Sequence, residues 1–73
     1  MARHEVNADI TGMVFKIEAE AGATLAEGDM VMILESMKME IPVEAPVAGR
    51  LTEILVKEGD AVAEGQTLAV IEN

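Results

Sequence analysis

The chain has 73 residues, a formal net charge of −9 from 14 acidic and 5 basic side chains, and no cysteine. This length allows one domain, and this charge repels nucleic acid and anionic membranes. The lack of cysteine excludes disulfides, thiolate metal ligands and cysteine nucleophiles.

The N-terminus has no long apolar stretch and reaches acidic residues at once, unlike a secretory signal. The longest apolar run, residues 30–34, is too short to span a bilayer. One phenylalanine, with no tryptophan or tyrosine, leaves no stacking platform for nucleic-acid bases. We therefore expect a soluble cytoplasmic protein that binds neither nucleic acid nor membranes.

Apolar stretches rich in β-branched residues and bounded by turn residues predict strands along the chain. In chain order they are residues 13–17, 30–35, 50–56 and 68–72. Glycine-containing turns are predicted at residues 21–22, 27–29, 58–60 and 64–66. No segment keeps a helical period over the ten or more residues that a helix needs. The pattern predicts an all-β domain.

An internal repeat relates the two halves of the chain. Residues 6–35 align without a gap on residues 43–72, and nine of the 30 aligned pairs are identical, three of them glycines. Most other pairs keep their apolar character, as Val14 and Leu51 do. Because neither half can bury its apolar face alone, the repeat predicts a flattened β-sandwich or barrel with pseudo-twofold symmetry, filling residues 1–73.

The repeat also positions the segment between its halves, residues 36–42. The 37-residue shift that aligns the halves places Lys38 at the N-terminal Met1 and relates Ser36 to the C-terminal Asn73. We therefore expect the chain ends to meet on the side opposite Lys38. The Lys38 loop is then expected to project freely.

The predicted turn near Met37-Lys38 breaks a local rule. Two-residue hairpin turns need positive φ and normally use Asn-Gly, Asp-Gly or Gly-X. This chain uses glycine at its other turns, yet places Met37, Lys38 and Met39 here. A local rule broken at one place in an otherwise consistent sequence points to function.

Singly, each of these residues is ordinary, since methionine fills gaps in cores and lysine is common in exposed turns. Together at a hairpin tip, they suit covalent attachment. The lysine amine is carried on a flexible four-carbon stem, and Met37 and Met39 offer adaptable apolar contacts to a modifying enzyme and to the attached group.

The segment Glu35-Ser36-Met37-Lys38-Met39-Glu40 resembles the biotinylation motif of biotinyl domains, the biotin carboxyl carrier modules of biotin-dependent carboxylases. The resemblance covers nearly the whole chain, including the turns at residues 27–29 and 58–60. It implies two four-stranded sheets, the barrel-sandwich hybrid architecture. Residues 15–26 leave no room for the protruding loop of some bacterial carriers, so the chain is similar to thumbless, stand-alone carriers.

The resemblance also implies a function. Lys38 is joined to biotin by a biotin protein ligase, and Met37 and Met39 are flanking recognition residues. The arm then carries carboxybiotin between biotin carboxylase and carboxyltransferase sites. On this reading the chain is a carrier rather than an enzyme, and a monomer in isolation.

Three alternatives remain open. A lipoyl domain shares the fold and the hairpin lysine but usually has Asp-Lys-Ala where this chain has Met37-Lys38-Met39, and modification by both groups is possible. An unmodified interaction module would leave the motif vestigial. An independent enzyme fits least, because His4 is the only histidine and neither a metal site nor a nucleophile triad can be assembled.

Overall fold

Eight β-strands make up the computed structural model, which describes residues 2–73. They are β1 (Arg3–Asn7), β2 (Gly12–Ile17), β3 (Thr24–Leu25), β4 (Met30–Ser36), β5 (Met39–Glu44), β6 (Gly49–Ile54), β7 (Ala61–Val62) and β8 (Thr67–Glu72). No helix in this part of the chain has the length and apolarity needed to cross a membrane.

The strands form two four-stranded antiparallel sheets. One sheet has the order β1-β8-β6-β3 and the other, which we call the hairpin sheet, has the order β5-β4-β2-β7. The 37-residue shift converts β2, β3 and β4 into β6, β7 and β8, and β1 into β5, so one sheet order maps onto the other. The predicted all-β sandwich with internal symmetry is confirmed.

Individual backbone hydrogen bonds follow the same pseudo-twofold symmetry. The Gly28 N–H donates to the carbonyl of Ala45 at 2.8 Å, and the matched Gly65 N–H donates to the carbonyl of Ala8 at 2.8 Å. Irregular pairing recurs too, between Val14 and Lys16 on β2 and at the matched place on β6. Each sheet therefore combines strands from both halves of the chain.

The core lies between the inner faces of the two sheets. Alternation along the strands sends every second side chain inward, and no polar or charged residue of the described chain is buried. The fully buried larger core side chains are Val14, Val31, Met32, Leu34, Leu51, Leu68 and Ile71. Apolar burial and the backbone ladders thus hold this small domain together.

The chain ends meet in the sheet that lacks the hairpin. Ala2 and Asn73 exchange two backbone hydrogen bonds of 2.8 and 3.0 Å, and β1 pairs with β8 beside them. The predicted meeting of the ends is confirmed. In contrast, the strand predicted at residues 50–56 ends at Ile54, because the chain leaves the sheet there while Val56 turns into the core.

Candidate functional site

The hairpin tip consists of two residues, Met37 and Lys38. The last pair of the β4–β5 ladder is Ser36 with Met39, so only these two residues connect the strands. Their φ angles are 52° and 64°, the positive values that a type I′ hairpin turn requires at both central positions. The tight turn lies where the sequence predicts it.

This turn is strained because neither residue is glycine. A residue with a Cβ in the left-handed region costs roughly 1–2 kcal/mol, and Met37 and Lys38 are the two non-glycine residues in the described chain with positive φ. The six paired positions of the β4–β5 ladder hold the turn closed. Such strain persists where surrounding structure imposes it and concentrates at functional sites. The ladder therefore fixes the direction in which Lys38 leaves the fold.

Gly12 supports the stem of the hairpin from the neighbouring strand β2. A Cβ built on Gly12 would lie 2.5 Å from the Glu35 carbonyl oxygen and 3.4 Å from the Ser36 Cβ. Only glycine lets β2 approach the stem this closely. The motif around Lys38 does not by itself indicate that Gly12 belongs to the site. The alignment of Gly12 with Gly49 in the repeat was the available signal, because matched glycines mark positions that a side chain would obstruct.

The tip presents its side chains to solvent. Lys38 is exposed, and the flanking Met37 and Met39 are 90% and 58% exposed. The two ion pairs found in residues 2–73 are Arg3–Glu53 and Lys16–Glu18, so neither involves the Lys38 amine. A primary amine in open space between two apolar side chains fits a group attached through an amide bond.

The single histidine of the chain lies away from the hairpin tip. In the described residues, no three His, Asp or Glu side chains come together in a way that could hold a metal ion. His4 lies on β1 in the other sheet, where its Nε2 is 3.1 Å from the Asn73 Oδ1. The hairpin presents an exposed primary amine that can carry an attached group.

Comparisons with known proteins agree with this geometry. The biotin/lipoyl family model, described as "Biotin-requiring enzyme", matches residues 5–71. A biotinylated protein TB7.3 homolog of Mycobacterium leprae is 42% identical over 92% of this chain and 94% of its own length. A biotin/lipoyl attachment protein of Bacillus subtilis is 43% identical over 93% of each chain.

A solved structure extends the likeness to a larger protein. The Kluyveromyces lactis urea carboxylase superposes on 99% of this chain with a TM-score of 0.93 and 36% identity. The chain spans only 6% of that carboxylase, so the match is to one small part of it. The family match and the two relatives of similar length lead to one conclusion: the chain belongs to the biotin/lipoyl attachment family.

Proposed function

We propose that this domain is a biotin carrier and that Lys38 is its attachment residue. The observation that carries the proposal is the Lys38 amine, exposed at a strained two-residue turn between two exposed methionines. No other lysine has such a setting: Lys16 lies within β2 beside Glu18, and Lys57 lies beyond β6, in the connection to β7.

Attachment requires only that the chain deliver its amine. A biotin protein ligase supplies biotin activated as an acyl adenylate. The Lys38 Nζ forms the amide bond as the acyl–phosphate bond breaks, AMP leaves, and the amine gives up its proton. The strained turn limits the conformations of Lys38 before binding, which lowers the ordering cost in the ligase. Met37 and Met39 provide apolar contact on both sides of the reacting atom.

Bound biotin supplies the capacity to accept and release a carboxyl group. The domain contributes mobility and recognition, while the partner enzymes perform the chemistry. We infer that these partners are a biotin carboxylase and a carboxyltransferase, since a domain of this fold is part of a carboxylase. Tethering to Lys38 raises the concentration of the carried group at each active site.

The test uses intact mass. Incubation with a biotin protein ligase, biotin and ATP is expected to add one biotin to the wild-type chain and none to Lys38→Arg, which keeps the positive charge but lacks a reactive amine. Lys16→Arg and Lys57→Arg serve as matched controls and are expected to be fully modified. An adduct that survives Lys38→Arg, or no adduct on the wild type, contradicts the assignment.

Lipoate is the second candidate, because the relative from Bacillus subtilis is named a biotin/lipoyl attachment protein. If the methionines discriminate between the two groups, Met37→Asp with Met39→Ala is expected to lower the rate of biotinylation about tenfold or more. The cause is the loss of two apolar contacts and the new charge beside Lys38. Parallel reactions with a biotin ligase and a lipoate ligase measure the change, and equal biotinylation of the double variant and the wild type would refute this role for the methionines.

A further inference from the structure

The internal repeat provides each outer position of one sheet with a matched position on the other. Directly paired residues lie on the same face, and a bulge puts two residues opposite one. Outward positions of the hairpin sheet are Met13, Phe15, Lys16, Ile33, Glu35, Glu40 and Pro42. In the same order, the matched positions on the other sheet are Arg50, Thr52, Glu53, Val70, Glu72, Arg3 and Glu5.

The two outer faces differ in chemistry. The hairpin sheet carries an apolar surface that we call the outer patch, made of Met13, Phe15, Ile33 and Pro42. Met13 is 39% exposed and Phe15, the only aromatic residue, is 45% exposed. Three of the four matched positions are arginine, threonine and glutamate. Because one fold accepts polar residues at these places, the fold does not require the patch to be apolar.

The remaining matched pair, Ile33 and Val70, is apolar on both sheets but differs in burial. Val70 is completely buried although it points away from the core. It lies on β8 between β1 and β6, and the Arg3–Glu53 ion pair of 3.2 Å joins these two flanking strands across β8. Ile33, its counterpart on β4, stays partly exposed. In the described chain, no ion pair bridges β2 and β5 across Ile33.

Charges at the edge of the patch differ in the same way. On the sheet that lacks the hairpin, Glu72 is paired with Arg3 on one side and Arg50 on the other. Its counterpart Glu35 is paired with Glu40. Like charges directly opposite each other destabilise a ladder, so the hairpin sheet carries a charge arrangement that the symmetric sheet avoids. Lys16, the cation of this face, is paired with Glu18 at 3.9 Å, so a cation from another molecule would relieve the repulsion between Glu35 and Glu40.

We propose that the outer patch is the docking surface for the biotin carboxylase that acts on the group at Lys38, an inference that rests on the proposed carrier function. The facing surface of that enzyme is apolar and bordered by lysine or arginine, complementary to the patch and to Glu35 and Glu40. A second copy of this chain is a poor occupant, because each copy carries a net charge of −9 and would place carboxylates against carboxylates.

The position of the patch suits this role. Glu35 lies one position before the last pair of the β4–β5 ladder, next to the Met37-Lys38 turn, and Phe15 and Ile33 lie farther from the tip. An enzyme that binds the outer patch therefore holds Lys38 at a fixed distance from its own active site. The apolar area is small, and small interfaces belong to transient complexes. A carrier that must leave one enzyme for the next needs such a complex.

The experiment exchanges patch residues for their counterparts on the other sheet. Biotinylated wild type and Met13→Arg/Phe15→Thr are compared as substrates of the biotin carboxylase subunit purified from the source organism, with ATP and labelled bicarbonate. We expect KM for the carrier to rise about tenfold or more, with kcat little changed. Phe15→Leu keeps an apolar contact and is expected to retain most affinity, and Arg50→Ala on the other sheet is expected to retain all of it.

Companion measurements separate the outcomes. The variant should keep the wild-type circular dichroism spectrum and the wild-type rate of biotinylation. An unchanged KM for the carboxylase overturns the docking surface. A defect confined to the ligase reaction assigns the patch to the ligase instead, and self-association lost in the variant during sedimentation assigns it to a second copy; both overturn the proposal. If the wild type takes up no carboxyl label, the carrier function itself fails.

Discussion

Exchanging Met37 with Lys38 is expected to abolish biotinylation, although composition and charge stay the same. Both positions have positive φ in a two-residue turn, so the backbone already accepts methionine and lysine at such angles. The exchange moves the amine to a neighbouring position whose side chain leaves the turn in another direction. Misplacement of a reacting group by about 1 Å can cost roughly 100-fold in rate, and this displacement is larger.

Timed intact-mass measurements with a biotin protein ligase follow the reaction, with the wild type and Lys38→Arg as limits. The biotinylated fraction of the exchanged variant is expected to equal that of Lys38→Arg within error. Its melting temperature is expected to equal that of the wild type. Substantial modification of the exchanged chain would mean that the ligase accepts any lysine at the hairpin tip. The geometry of the turn would then have no part in selection.

Gly12→Ala is expected to lower the free energy of unfolding and, in addition, the rate of biotinylation. The added Cβ would lie 2.5 Å from the backbone carbonyl oxygen of Glu35, an atom that cannot rotate away. Overpacking of this kind costs about 1–3 kcal/mol. Since Glu35 and Ser36 form the stem of the hairpin, the displacement reaches the turn that positions Lys38. Urea titration measures the stability, and timed mass spectrometry measures the modification rate of the folded chain.

Gly49→Ala is the matched control that the repeat supplies. Its Cβ would lie 2.7 Å from the Glu72 carbonyl oxygen and 2.8 Å from the Ile71 Cγ2, and its φ of 159° disfavours a side chain, so a loss of stability at least as large is expected. Glu72 ends β8 in the sheet without the hairpin, so biotinylation of the folded chain should keep the wild-type rate. Equal loss of modification in both variants would show that the rate follows global stability rather than the position of the hairpin stem.

Much of the fold can be predicted from local patterns. The matched glycines and apolar positions of the repeat predict two equivalent halves, and the strand order confirms them. Four strands, β1, β3, β5 and β7, have no bounds predicted from the sequence, and β3 and β7 have only two residues each. Two residues are too few to show an alternation of apolar and polar side chains. Such a segment is a strand only because it pairs with a neighbouring strand in the folded chain. The strand predicted at residues 50–56 is two residues too long for a related reason. Val56 is apolar because its side chain packs in the core, although it lies outside the sheet.

The attachment hairpin could be predicted because its signals are local: a missing glycine, a lysine between methionines, and a place at the junction of two repeats. The contact of Gly12 with Glu35 and the difference between the outer faces could not. Ile33 and Val70 are both apolar β-branched residues in matched strands, yet Ile33 is partly exposed and Val70 is completely buried. The strands that flank Val70 are joined by the Arg3–Glu53 ion pair, which has no counterpart around Ile33 in the described chain. Such differences arise from side chains on strands far apart in sequence, so only the folded neighbours of each residue decide them.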